Sequence, residues 1–134
     1  MSKPRYIWWS YAKGMIRQYP HLKKELADLH EQKVTASASG VPGGGGASRT
    51  TENVTLRQLP GTLQKEFDAV DLAIKQTRRM KNGKYRMQVI ALVYWTEQLT
   101  IEGAAMRIPC SKETAWRYHR DFVRLVGKNY GLTD

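Results

Sequence analysis

From Thr35 to Asn53 the chain reads TASASGVPGGGGASRTTEN, and large apolar side chains nearly vanish until Leu56. Such a stretch cannot bury enough surface to offset the entropy of ordering its backbone, and Gly43 to Gly46 with their Ser, Thr and Ala neighbours have the composition of a flexible linker. The glycine run lacks the following Lys-Ser/Thr and the flanking strand of a phosphate-binding loop. The 134-residue chain is therefore expected to comprise an N-terminal part over 1–33, a linker over 34–55 and a C-terminal region over 56–134. That leaves room for one compact domain and a small companion, and none for a two-domain enzyme.

In the N-terminal part, Ile7, Tyr11 and Ile16 fall near one helical face. Tyr19-Pro20 is expected to end that helix, because the residue before proline avoids the α region. Leu22, Leu26 and Leu29 then recur at i, i+4, i+7 and predict a second short helix. The pair reads as a helical hairpin. Helices this short are marginal alone, so the hairpin is expected to pack on the C-terminal region or on another copy of itself, which would make a homo-oligomer. Trp8 and Trp9 are adjacent and point in different directions, so one of them is expected to meet a partner or the second helix.

The C-terminal region opens with Leu63, Phe67, Val70, Ile74 and Thr77 at steps of a long amphipathic helix, and Asn82-Gly83 breaks it. Val89 to Trp95 is apolar nearly all round. A helix is expected there, since Lys84 to Gln98 is long, includes good helix formers, and has no second strand with which to pair. The fold class is accordingly all-α: an N-terminal helical hairpin, a flexible linker, and a C-terminal four-helix region.

The last two helices are the informative ones. Thr100 is placed to cap a short helix over Ile101–Arg107, in which Ala104 and Ala105 are small enough for another helix to cross closely. Pro109-Cys110-Ser111 makes a tight turn without the usual glycine, and Ser111 is placed to cap the next helix. That helix turns Ala115, Tyr118, Phe122 and Leu125 inward and Lys112, Glu113, Trp116, Arg117, Arg120 and Arg124 outward. These are the parts of a helix-turn-helix. A major groove admits one helix, whose early turns must carry side chains able to reach base edges, and arginine can pair bidentately with guanine. Ser111, Lys112, Glu113, Thr114, Trp116, Arg117, Arg120 and Arg124 are thus candidate DNA-binding residues. Arg78, Arg79, Lys81, Lys84 and Arg86, around the Asn82-Gly83 turn, are candidates for a clamp on the phosphate backbone.

Composition points the same way. Lys and Arg total 22 against 12 Asp and Glu, for a net charge of +10, and such an excess is most useful against a polyanion. Double-stranded DNA is the expected partner, ahead of a membrane surface. Val89 to Trp95 is far short of the roughly 20 residues that span a bilayer. No signal peptide is apparent, Cys110 is a lone thiol expected to be buried and inert, and a cytoplasmic location is expected. His21, His30 and His119 lack the spacing of a zinc site and are expected at the surface. No cofactor, metal or enzymatic motif is read.

The blocks TRRMKNGKYRMQVIALVYW and LTIEGAAMRIPCSKETAWRYHRDFVRLVGKNYGL resemble phage late-gene transcriptional regulators of the RinA and ArpU type, and RYIWWSYAKGMIRQYPHLKKEL is similar to the start of the same proteins. The resemblance covers most of the chain outside the linker and rests on a pattern of aromatic and basic residues. It implies a C-terminal helix-turn-helix like the promoter-reading region of sigma factors, and an activator of late phage operons that acts with RNA polymerase. Two other readings stay open: a DNA-packaging protein of the terminase small-subunit type, and a sigma-like adaptor that docks on RNA polymerase without reading bases.

Overall fold

The computed structural model describes residues 7–38 and 58–133, with backbone alone over 32–38. Five α-helices and no strands are found among them: α1, Trp9–Ala38; α2, Leu63–Arg78; α3, Gly83–Ile90; α4, Ile101–Arg107; and α5, Lys112–Tyr130. A π-helical turn, Ala91–Trp95, continues α3. The all-α expectation holds, and so does the choice of helix for Val89 to Trp95. No helix of the described residues is long and apolar enough to cross a membrane. The expected linker begins at Val34, yet α1 runs on to Ala38, and residues 39–57 lie outside those described.

The expected hairpin is replaced by one continuous helix, with Pro20 inside it. Proline removes the N–H that would bond the carbonyl four residues back, which here belongs to Ile16. The Trp95 indole supplies the missing donor: its Nε1 donates to the Ile16 carbonyl at 2.8 Å. A buried carbonyl left alone would cost free energy comparable to a lost hydrogen bond. With that loss made good from another element, the helix has no reason to end at Tyr19.

By compactness the chain divides into two units, one comprising residues up to Tyr19 together with Lys65 onward, the other Pro20–Gln64. In the second, Leu22 is buried, Leu26 and Leu29 are half-buried, and His21 and Glu25 pair at 3.0 Å on the solvent side. Its last residues form a turn in which Leu59 donates its N–H to Gln64 Oε1 and Leu63 donates to the Pro60 carbonyl.

In the first unit, the start of α1 lies against α2 through polar as well as apolar contacts. Buried Glu66 accepts from the Tyr11 hydroxyl at 2.8 Å and from the Gln18 side chain. The Tyr19 hydroxyl donates to Asp71, and its ring stacks on Phe67 with centroids 5.0 Å apart. Phe67, Val70, Ile74 and Thr77 are buried, as the spacing in α2 predicts. Asn82 takes a left-handed φ of 61° to turn the chain, and Gly83 follows because a Cβ there would stand 2.6 Å from the Thr77 carbonyl oxygen. The α2–α3 joint is thus closed by backbone on backbone.

Candidate nucleic-acid interface

Both caps of the helix pair form as the residue types dictate. Thr100 is extended, and its hydroxyl accepts from the Gly103 N–H at 3.0 Å. Ser111 is extended too; its hydroxyl accepts from the Thr114 N–H at 3.1 Å and donates to Thr114 Oγ1. Each cap satisfies one of the amides that a helix start leaves without a partner. Between the helices, Ile108 is extended (φ −110°, ψ 133°), as a residue before proline prefers, and Cys110 donates its N–H to the Ile108 carbonyl at 2.6 Å. That is a three-residue turn about Pro109, whose ring fixes φ near the value such a turn needs. Proline does here by restraint what glycine does elsewhere by freedom.

The joint has its own apolar core of Val89, Ile101, Ala105, Ile108, Ala115 and Tyr118, with Leu92, Val93, Cys110 and Trp116 packed against it. Ala104, Ala105 and Ala115 are all buried, which lets α4 and α5 approach closely. Cys110 is half-buried, and burial pushes its thiol above the ordinary value, away from the reactive thiolate. Leu125 was expected inward but is half-buried; Val123, Val126 and Phe122 take the core positions as the stripe drifts around a straight helix.

Opposite this core, α5 carries Glu113, Arg117, Arg120 and Arg124 on one stripe, continued by Lys128, at successive helical steps of four and three. Glu113, Arg117, Arg124 and Lys128 are exposed, and Arg120 is half-buried. Lys112 is exposed and pairs with Glu102 on α4 at 3.9 Å. Ser111 and Thr114 are occupied with capping. Trp116 is half-buried and belongs in part to the joint, so it is less outward than its neighbours.

The cations around Asn82-Gly83 divide. Arg78, Arg79, Lys81 and Lys84 are exposed. Arg86 is turned in: it pairs with Asp121 of α5 at 3.1 Å, donates to the Lys81 carbonyl, and lies over the Tyr118 ring with 4.6 Å to the centroid. It ties α3 to the helix that carries the basic stripe. An arginine in that position helps to set where α5 sits.

Two features escaped the sequence reading. His119 is buried, not at the surface as expected: it stacks on Tyr94 at an interplanar angle of 11° and shares a 2.6 Å hydrogen bond with the Tyr94 hydroxyl. Its step from Ala115 and Phe122, four and three residues away, was the available signal. Trp8 and Trp9 both lie against α5. A Cβ on Gly127 would stand 2.5 Å from the Trp8 ring, and Trp9 meets His119 edge-on at 6.3 Å. The glycine inside a helix was the sign that something large crosses it. No group of three or more His, Cys, Asp or Glu able to hold a metal occurs among the described residues. No protein-family model, curated protein or solved structure matches the chain.

Proposed function

We propose that the chain is a sequence-specific double-stranded-DNA-binding transcriptional regulator, an activator of phage late genes acting with RNA polymerase, in which α5 enters the major groove. The observation that carries the reading is the basic stripe of Arg117, Arg120 and Arg124 on the outer face of a helix whose inner face is fixed by a capped, tightly crossed partner. A groove reader needs this separation, because the side chains that meet bases must be free while the helix that bears them is held. The net charge of +10 supplies the long-range attraction to the duplex. Arg78, Arg79, Lys81 and Lys84 would meet the backbone beside the groove, and Arg86 would position α5.

The resemblance to RinA and ArpU regulators supplies the phage context and the polymerase partner in this reading. The test compares wild type, Arg117→Ala and Arg124→Ala on cognate and scrambled duplexes across a salt series. Arg117→Ala should lose roughly 1–3 kcal/mol on the cognate site and relax specificity there. Arg124→Ala, two turns further along, should weaken both duplexes alike and reduce the salt slope by about one charge. Equal binding of both duplexes by all three proteins would reject a base-reading role and favour the adaptor that docks on polymerase.

A further inference from the structure

One side of the first unit holds a cleft of about 590 Å³, a volume in the range of small-molecule sites, bounded by the start of α1, the π-helical turn, the start of α4 and the inner edge of α5. Two departures from regular backbone meet in its wall. The π-helical turn supplies Val93 and Tyr94, and Gln98 takes a left-handed φ of 53° without being glycine. A π turn inside a helix costs regular hydrogen bonding, and a left-handed glutamine is strained; both kinds of departure concentrate at functional sites. Both lie in the stretch of chain that leads into the cap of α4.

The lining is specific in chemistry. Buried Trp9, Tyr94 and His119 border the cleft, and half-buried Trp116 is the most open of its rings. Lys13 and Arg17, one helical turn apart on α1, also line the cleft; the Arg17 guanidinium is 5.6 Å above the Tyr94 ring and has no carboxylate partner among the described residues. The acid in the lining, Glu102, faces Lys112. An aromatic lining with Trp116 at its surface favours a planar ring, and an exposed guanidinium beside it favours an anion attached to that ring. We infer that this cleft is a binding site for a small planar aromatic anion of the nucleoside-monophosphate kind. The inference does not depend on the DNA-binding reading, since Arg117, Arg120 and Arg124 do not line the cleft.

The full chain should be titrated with adenosine 5′-monophosphate, adenosine and inorganic phosphate, read by calorimetry and by the indole N–H resonances of the four tryptophans. The monophosphate should saturate below about 1 mM, and adenosine and phosphate should each bind at least roughly tenfold more weakly. The resonances of Trp9 and Trp116 should move more than that of Trp8. Arg17→Ala, at an exposed position, should weaken the monophosphate about tenfold with an unchanged circular-dichroism spectrum, whereas Lys75→Ala on α2 should leave binding unaltered. Three results would overturn the inference: no saturation by the monophosphate, phosphate binding as tightly as the monophosphate, or wild-type affinity in Arg17→Ala.

Discussion

The Ile16 carbonyl shows how a single atom decides an element. Pro20 withdraws its backbone donor, and the Trp95 indole, from 79 residues away, replaces it. Trp95→Phe keeps a ring beside Tyr19 but removes the donor, so it should destabilise the protein by roughly 1–3 kcal/mol, the cost of a buried acceptor left unpaired. Pro20→Ala returns a backbone N–H that can reach the same carbonyl. In that background Trp95→Phe should cost clearly less, and a double-mutant cycle by chemical denaturation measures the difference. Equal costs in both backgrounds would mean that the indole bond does not substitute for the missing amide. Nothing local in the sequence around Pro20 signals this, which is why the proline reads as a helix end.

At the level of elements, the α4–α5 joint depends on small side chains at the crossing. Ala105 is buried among Val89, Ile101, Ile108, Ala115 and Tyr118, so Ala105→Leu should overpack the joint and cost roughly 1–3 kcal/mol, seen as a lower Tm. Gly127 marks the second crossing. Gly127→Ala alone should destabilise by forcing the Trp8 ring aside, although alanine is the better helix former. With Trp8→Ala as the starting protein, the same change should instead stabilise by about 0.5–1 kcal/mol, because only the helix preference remains. A reversal of sign on thermal melts is the outcome expected. These elements also separate what was legible from what was not. The spacing of Phe67, Val70 and Ile74, the caps Thr100 and Ser111, and the alanines of α4 are local signals, and the helices they predict are present. The path of α1, the inward turn of Arg86 and the burial of His119 depend on partners distant in sequence. Periodicity shows which face of a helix is apolar; it does not show that an arginine will find Asp121 across 35 residues.

Across the described part of the molecule, the hydroxyls of Tyr11, Tyr19 and Tyr94 join elements by bonding Glu66, Asp71 and His119, and this gives the fold a definite response to alkali. Burial raises the Tyr94 phenol above its ordinary value, with nearby Arg17 opposing. Burial and the bond to Asp71 raise that of Tyr19, and the bond to Tyr130, then burial and the bond to Glu66, raise that of Tyr11. All three are therefore held neutral in the folded state at pH values where the unfolded chain would ionise them. Their contribution is fully present below the unfolded value near 10 and is lost as pH rises from there toward the folded values. Tyr94→Phe isolates one of these phenols and leaves every other ionising group in place. Below pH 9 the variant should be less stable than wild type, having lost the hydrogen bond to His119. Between about pH 10 and 12 the gap should narrow, because only the wild type still has that phenol to ionise on unfolding. Denaturant midpoints for both proteins across this pH series test it, and a gap that stays constant would show that Tyr94 titrates alike in the folded and unfolded chains.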